Sequence, residues 1–261
     1  MKIGFIGTGV ISEAVITGMM KSGIAERLGV EEIVVSTRSQ AISTALSERY
    51  EMVRVVNDNQ TIVDQSDLLF LAVLPQVAQQ VLSQLAFRPD QEICSLIATL
   101  PVEKITAWGG EVALITRAVP LPPVAELAGI TVLSGQSERM EAIFEALGGV
   151  IVTQSLQEFD AYTVPGSMMG TYFGFQDIVA SWIVAQGGTE TEARSFLANV
   201  FAALARTAEG SDLSFAALRE GHSTPGGLNE QMFRVFCEEG GRDAIVTAMD
   251  TVAERITKAR S

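Results

Sequence analysis

A glycine-containing segment near the amino end, residues 2–12, restricts the fold of this chain more than any other stretch. It opens with a short apolar run that predicts a buried strand. Gly7 and Gly9 then allow a tight turn, and a helical pattern follows from Ser12, a small residue at the third fingerprint position. The first N–H groups of a helix are unpaired and can hold a pyrophosphate that glycine lets the backbone approach. We therefore predict a dinucleotide-binding turn, with an ordinary glycine turn as the alternative.

Apolar runs and helical patterns alternate along the first 154 residues. The run at 67–73 is apolar from Leu68 to Val73 and is therefore predicted as a central strand of a parallel sheet. Alternation at this spacing indicates a doubly wound, Rossmann-type α/β domain over residues 1–154. The further predicted strands are 33–35, 53–56, 93–97, 114–116, 130–133 and 150–152.

From residue 155 onward the apolar residues recur at helical spacing, which predicts an all-helical second domain over 155–261. Thr189 and Glu192 form a capping box at the start of one of its helices. The last helix has an apolar stripe that a lone domain would not cover fully, so we expect a homodimer formed through the carboxyl-terminal helices. The predicted helices are 160–186 (irregular at Pro165-Gly166), 189–209, 214–220, 225–239 and 242–260.

The charge balance excludes several classes of partner. Eighteen Lys and Arg residues against 31 Asp and Glu give a net charge of −13, which repels nucleic acid and anionic membranes. No apolar run is long enough to cross a bilayer and no signal peptide is recognised, so we expect a cytoplasmic protein. Cys94 and Cys237 are expected to be buried, reduced thiols, and His222 has no second ligand, so no metal site is expected.

The end of the second predicted strand indicates which dinucleotide is bound. An NAD-specific site usually has an acidic residue there, but this chain has Ser36-Thr37-Arg38. Two hydroxyl groups and a guanidinium suit a 2′-phosphate, which favours NADPH, with NADH as the second option. The alternative is a solvated loop with one surface arginine.

Several motifs follow one another along the chain, namely Gly7-Thr8-Gly9-Val10-Ile11-Ser12, Ser36-Thr37-Arg38, Asn59, Leu71-Ala72-Val73-Leu74-Pro75-Gln76, Arg117-Ala118-Val119-Pro120 and Ser223-Thr224-Pro225-Gly226-Gly227. Together they resemble the motifs of pyrroline-5-carboxylate reductase, an enzyme that reduces a cyclic imine to proline with NAD(P)H. The resemblance covers essentially the whole chain and implies a Rossmann domain, a helical dimerisation domain, and an active site between the domains at the subunit interface. The cofactor-binding residues that it implies are Gly7, Thr8, Gly9, Val10, Ile11, Ser12, Ser36, Thr37, Arg38, Asn59, Ala72, Val73, Leu74, Pro75 and Ala98.

The chain departs from the family pattern mainly where substrate is expected. Leu74 stands where the family usually has Lys, and Leu228 and Asn229 stand where it has a small residue and Thr. The family's Met-Pro-Asn-Thr-Pro segment appears as Val119-Pro120-Leu121-Pro122-Pro123, and its Gly-Ser-Gly-Pro-Ala turn as Gly166-Ser167-Met168-Met169-Gly170. An apolar side chain cannot replace the hydrogen bond of a hydroxyl group.

These departures leave reduction feasible, since hydride transfer depends chiefly on positioning the acceptor carbon and an iminium needs no strong acid. We expect Ser167, Thr224 and Asn229 to orient the substrate. His222 is either an acid or an exposed loop histidine, and the two methionines either fill the core or make the pocket more apolar. The residues expected to contact substrate are Leu121, Met168, Met169, Pro225, Gly226, Gly227 and Leu228.

The sequence thus predicts an NADPH-dependent reductase of a cyclic imine, with pyrroline-5-carboxylate as the default substrate. A reductase of a different imine or ketone on the same scaffold is one alternative. The other is an NADP-binding regulatory module without catalysis, suggested by an intact dinucleotide motif beside a substituted substrate pocket.

Overall fold

The structure is a computed structural model that describes residues 1–260. It divides into two compact units: a larger one made of Met1–Gly166 and the residues from Ala253 onward, and a smaller one made of Ser167–Val252. The domain boundaries 1–154 and 155–261 stay a prediction.

The larger unit is built on an eight-stranded sheet with the order β3-β2-β1-β4-β5-β6-β7-β8. Neighbouring strands are parallel except for the antiparallel pair β6 and β7. The predicted run at 67–73 becomes β4, which lies between β1 and β5, so its central position is confirmed. The strands are β1 Lys2–Ile6, β2 Glu32–Ser36, β3 Val53–Val56, β4 Leu68–Leu71, β5 Glu92–Ser95, β6 Leu114–Val119, β7 Thr131–Ser134 and β8 Val150–Thr153.

Helices cover both faces of this sheet, because successive strand residues point to opposite faces and both sets are apolar. On one face Phe5 stacks on Phe70 of the adjacent strand, with ring centroids 4.6 Å apart, and α1 and α7 pack on them. On the other face Leu69 and Leu71 pack with α4, α5 and α6. The helices are α1 Val10–Ser22, α2 Ile24–Arg27, α3 Gln40–Arg49, α4 Asn59–Gln65, α5 Pro75–Leu82, α6 Val102–Gly109, α7 Glu138–Ala146 and α8 Leu156–Thr163, with a 3-10 helix at Pro122–Glu126.

The smaller unit is helical, as predicted. Thr189 caps α10 by accepting from the Glu192 N–H at 3.3 Å, which confirms the predicted helix start. A 3-10 turn at Pro165–Met168 precedes the first helix of this unit. The helices are α9 Met169–Ala185, α10 Glu190–Glu209, α11 Phe215–Gly221, α12 Leu228–Glu238 and α13 Gly241–Arg260, whose last residues belong to the larger unit.

The smaller unit exposes much of its apolar surface. Among its described residues, Ala193 and Leu197 are the buried ones. The Phe201 ring lies 5.7 Å from that of Tyr172, but most other large side chains face outward. Those that are 62% to 83% exposed are Phe173, Ile178, Trp182, Phe196, Phe215, Leu228 and Met232.

Two predicted helices differ from the structure for identifiable reasons. The helix predicted over 160–186 is broken, because Pro165 lacks an N–H and cannot continue α8. The helix predicted over 225–239 begins instead at Leu228. Gly226 has a left-handed φ of 73° and Gly227 donates to the Thr224 carbonyl at 2.8 Å, so these residues form a turn.

Both cysteines are free thiols, as expected. Burial raises the pKa of the Cys94 thiol well above its ordinary value, so this thiol is inert at neutral pH. Cys237 is only partly buried in the single chain, which corrects the expectation for that residue. Within residues 1–260, no helix has the length and apolar character needed to span a membrane.

Candidate active site

The predicted cofactor residues of the larger unit lie at one edge of its sheet. Gly7 and Ala72 directly follow β1 and β4, Ser36 is the last residue of β2, and Ala98 lies in the loop after β5. Because these strands are parallel, their carboxyl ends meet at the same edge. From β1 the chain adds β2 and β3 on one side of the sheet, and from β4 it adds strands on the other side. The boundary between β1 and β4 is therefore a topological switch point, which is where open α/β sheets bind ligands.

A cavity of about 150 Å³ opens at this edge. The structure thereby brings together residues that are up to 74 positions apart in the chain, since Gly7 and Val81 both line it. Asn57 and Val81 are lining residues that sequence reasoning missed, although Asn57 directly follows β3, where its position could have identified it. The lining residues are Gly7, Ser36, Thr37, Arg38, Asn57, Asn59, Val73 and Val81.

Hydroxyl groups hold the glycine turn in place from below. The Ser36 hydroxyl accepts from the Gly7 N–H at 3.0 Å, and the Thr8 hydroxyl donates to the Ser36 carbonyl at 2.7 Å. Ser12 donates to the Gly7 carbonyl at 2.6 Å. All three hydroxyl side chains are buried, so they shape the turn. Thr37 is half-buried and Arg38 is exposed, and they are the members of the predicted 2′-phosphate group that remain open to a ligand.

The turn fits a diphosphate. Gly7 has a φ of 98°, and a Cβ there would lie 2.6 Å from the Ala72 carbonyl oxygen, so glycine is required. A Cβ at Gly9 would meet no protein atom within 4 Å, which leaves open space in front of α1. The first helical bond of α1 runs from the Glu13 N–H to the Gly9 carbonyl, so the preceding N–H groups of the first turn have no helical partner. These groups and the helix dipole suit an anion.

Two apolar side chains flank the turn in exposed positions. Val10 at the start of α1 and Leu74 before α5 are each 61% exposed. Pro75 occupies the first turn of α5, as predicted. Exposed apolar groups beside a polar cradle are typical of a ligand-binding surface.

Leu121 is the predicted substrate residue that lies in the larger unit. It precedes the 3-10 helix Pro122–Glu126 and is half-buried. A Cβ built at Gly166 would lie 3.7 Å from the Leu121 side chain, so the two predicted motifs are neighbours.

The other predicted substrate residues lie in the smaller unit, in two groups. Ser167, Met168 and Met169 stand at the start of α9, and the two methionines are 39% and 41% exposed. Their partly exposed state does not support the alternative that they fill a core within one chain. Thr224 and Pro225 belong to the loop before α12, together with the glycines of the Pro-Gly-Gly turn.

The loop before α12 uses several of its polar groups internally. The Asn229 amide donates to the His222 carbonyl at 2.7 Å, which braces the loop. The N–H of Gly226, which is predicted to contact substrate, donates to Glu230 Oε2 at 2.6 Å. Leu228, at the first position of α12, is 83% exposed. His222 is exposed, and its Nδ1 lies 2.8 Å from the Leu218 carbonyl.

Comparison with known proteins places two family models on the chain. Residues 2–99 match the model described as NADP oxidoreductase coenzyme F420-dependent, and residues 157–259 match pyrroline-5-carboxylate reductase dimerisation. The pyrroline-5-carboxylate reductase of Synechocystis is 29% identical over 98% of this chain and 97% of its own length.

Two solved structures share the fold. The 1-pyrroline-5-carboxylate reductase of Streptococcus pyogenes superposes with a TM-score of 0.85 at 22% identity, covering 99% of this chain and 98% of that one. The Plasmodium falciparum pyrroline carboxylate reductase, solved with NADP bound, gives 0.83 at 17% identity, covering 100% and 98%.

Proposed function

Because the chain belongs to the pyrroline-5-carboxylate reductase family, we propose that it reduces the C=N bond of pyrroline-5-carboxylate to form proline, with NADPH as the electron donor. It is an oxidoreductase that acts on a C=N bond, like the pyrroline-5-carboxylate reductases to which it is similar. The observation on which the proposal chiefly rests is the cavity at the sheet edge, where Gly7, Thr37, Arg38 and Asn59 meet beside the open amino end of α1.

The larger unit supplies the groups that would hold the dinucleotide. The first turn of α1, from Val10 to Ser12, would bind the diphosphate through its backbone N–H groups. Arg38 and Thr37 would bind the 2′-phosphate, since a guanidinium offers several donors and a permanent charge. With the adenosine half at the β2 end, the other half extends toward β4 and β5, where Ala72–Pro75 and Ala98 lie. When bound, the reduced nicotinamide supplies a hydride for the imine carbon.

The smaller unit supplies the groups proposed to orient the substrate. Ser167 and Thr224 offer hydroxyl groups, and Asn229 has an amide oxygen beyond the N–H used by the His222 carbonyl. An imine that is already protonated needs no strong acid from the protein, and water supplies any further proton. Met168, Met169 and Leu228 of the smaller unit would offer the substrate apolar contacts, next to Pro225, Gly226 and Gly227. Leu121 of the larger unit stays a proposed substrate contact.

The protein is a homo-oligomer, in keeping with its match to a dimerisation model over residues 157–259. We propose a homodimer formed through the helices of the smaller unit, because side chains such as Phe173 and Trp182 are more than 60% exposed in the single chain. A cytoplasmic location is also proposed.

A second candidate function is reduction of a different cyclic imine, one without a carboxylate. Two observations favour it: the Gly226 N–H is already bound to Glu230, and Leu228 presents an apolar side chain at the start of α12. Both features weaken recognition of a negatively charged substrate.

One assay distinguishes these functions. The purified protein is given NADPH with pyrroline-5-carboxylate, or with 1-pyrroline, which lacks the carboxylate, and NADPH loss is followed beside amino-acid product. NADPH affinity is measured separately by fluorescence titration. Proline formation in step with NADPH loss supports the main proposal. Turnover of 1-pyrroline alone favours the second candidate, binding without any turnover favours a regulatory module, and failure to bind either nicotinamide nucleotide overturns the proposal.

A further inference from the structure

A buried arginine lies behind the cofactor edge of the larger unit and has no part in the function described so far. Arg117 is in β6, opposite Ser95 of β5, and is 4% exposed. Its Nη2 donates to the Ala98 carbonyl at 2.5 Å. Its guanidinium lies over the ring of Phe159, 4.5 Å from the centroid. Burial lowers the pKa of Arg117 to about 10, yet the group remains charged at neutral pH.

This arrangement is an expensive way to stabilise a fold. Within residues 1–260 the Nε of Arg117 has no hydrogen-bond partner, and no carboxylate is paired with it directly. A buried charge that lacks a direct counterion is unfavourable, and an apolar residue of similar volume often gives a more stable fold. The position of Arg117 therefore calls for a role beyond packing.

That role is indicated by the group that Arg117 holds. Ala98 belongs to the loop that follows β5, on the side of the switch point where the nicotinamide half of the cofactor is placed by the proposed function. Leu96 donates to the Leu71 carbonyl at 2.9 Å and Leu100 to the Ile97 carbonyl at 3.0 Å, which anchors the two ends of the loop. The bond from Arg117 fixes the peptide plane between them.

The guanidinium of Arg117 packs on Phe159 of α8, and the next residue, Asp160, takes part in an ion pair of its own. Phe159 is fully buried beneath the guanidinium, and Asp160 forms an ion pair with Arg260 in the last turn of α13. The side chains of this pair are 26% and 13% exposed, so solvent screens them only partly. All of these residues lie in the larger unit, so contacts run continuously from the last turn of α13 to the Ala98 loop.

We infer that Arg117 is a positioning residue for the reduction: it fixes the Ala98 peptide against the nicotinamide, and the Asp160–Arg260 pair keeps Arg117 in place through Phe159. The inference rests on the proposed function. Removing the guanidinium would loosen residues 96–100 while leaving the diphosphate and 2′-phosphate contacts intact. The turnover number would then fall far more than the affinity for NADPH.

The test compares wild type with Arg117→Met, Arg117→Lys and Asp160→Asn. Arg139→Met is the matched control, because Arg139 binds Glu92 at the opposite end of β5 and is 40% exposed. Turnover number, KM for NADPH, NADPH affinity by fluorescence titration, thermal melting and amide hydrogen exchange are measured for each. We expect a roughly tenfold to hundredfold loss of turnover in Arg117→Met, because misplacement of reacting groups by about 1 Å has effects of that size. NADPH affinity should stay within about threefold, since the phosphate contacts remain.

Amide exchange distinguishes positioning from a general structural role. In Arg117→Met and Arg117→Lys, exchange should quicken at residues 96–100 and stay unchanged in β1 and β4. Asp160→Asn should lower turnover and quicken exchange at residues 96–100 as well, but by smaller amounts. This variant also provides the test if Arg117→Met does not fold. Unchanged exchange at 96–100, or unchanged turnover in the Arg117 variants, overturns the inference. If the wild-type protein reduces no imine, the proposed function fails. Amide hydrogen exchange at residues 96–100 in the presence of NADPH still tests whether Arg117 fixes the Ala98 peptide.

Discussion

The Ser36 hydroxyl lies 3.0 Å from the backbone nitrogen of Gly7, so the end of β2 supports the turn that follows β1. The two residues are 29 positions apart, and both are buried. The Thr8 hydroxyl, 3.2 Å from that of Ser36, joins the same cluster. The predicted phosphate ligand Ser36 is therefore part of the scaffold of the turn.

Ser36→Ala should destabilise the fold by about 1–3 kcal/mol, because it leaves the Gly7 N–H buried without an acceptor. Chemical unfolding measures the change. Ser39→Ala is the matched control, because Ser39 makes no side-chain bond to the start of α3 and its replacement should change stability little. Equal stability of the two variants would contradict the scaffold role of Ser36.

Gly7→Ala and Gly9→Ala should fail in different ways. At Gly7 the added methyl group would lie 2.6 Å from the Ala72 carbonyl oxygen at a φ of 98°, so we expect a loss of roughly 1–3 kcal/mol in stability. At Gly9 it would meet no protein atom, so the melting temperature should hold while NADPH affinity falls about tenfold or more. Melting curves and fluorescence titration of both variants test this. Unchanged NADPH binding by Gly9→Ala would disprove the proposed diphosphate site at the amino end of α1.

Arg38→Ala should weaken NADPH binding by roughly tenfold to a hundredfold and leave NADH binding nearly unchanged, because only NADPH has the 2′-phosphate. Titration with both nucleotides gives the ratio. Arg49→Ala is the control, since Arg49 is exposed at the far end of α3 and should alter neither affinity. An equal loss for the two nucleotides would show that Arg38 has another role.

Glu32 should make stability depend on acid pH. Its hydrogen bonds to Arg54 lower the pKa of this carboxyl from 4.5 to about 2 in the folded chain. A folded pKa below the unfolded one stabilises the protein above pH 4.5, and this contribution is lost as pH falls toward 2. Because Arg54 is 44% exposed, we expect ~1 kcal/mol from the pair rather than the full value of the shift.

Unfolding free energies of wild type and Glu32→Gln, measured across that pH range, should converge as the medium becomes more acidic. Glu48→Gln, on the exposed side of α3, should run parallel to wild type. Parallel curves for Glu32→Gln as well would remove Glu32 from the acid response.

Light scattering should give twice the mass of the 27.9 kDa chain at micromolar concentration. Trp182→Glu should shift the protein toward monomer, because it places a charge on an apolar surface that is 64% exposed in the single chain. Asp212→Ala, at an exposed polar position of the same unit, is the control. A monomeric wild type would contradict the proposed dimer.

The sheet was predictable because short apolar runs, typical of buried strands, alternate along the chain with segments whose apolar residues recur at helical spacing. The run at 67–73 shows this, since burial on both faces goes with an uninterrupted apolar sequence from Leu68 to Val73. The reversed direction of β7 and β8 could not be predicted, because a four-residue apolar run contains no signal of direction. The break at Pro165 was foreseen as an irregularity, but the separate helices on either side were not.

The sequence predicts which residues meet at the cofactor edge better than it predicts which of their side chains are free to bind a ligand. Gly7, Ser36 and Ala72 stand at the carboxyl ends of parallel strands, so their proximity can be predicted without knowing the side-chain contacts. Which hydroxyl faces the turn and which faces a ligand depends on contacts between residues far apart in the chain, as for Ser36. The bond between Arg117 and Ala98 escaped sequence reasoning for the same reason, because β6 must first form beside β5.

The larger unit is discontinuous in the chain, since Ile256 and Arg260 belong to it although the smaller unit is threaded between them and residue 166. During translation the nascent sheet would leave the ribosome without its final contacts. The ion pair between Asp160 and Arg260 forms only after the end of α13 has been synthesised. Co-translational folding of the larger unit is therefore expected to pause short of completion until α13 has been synthesised.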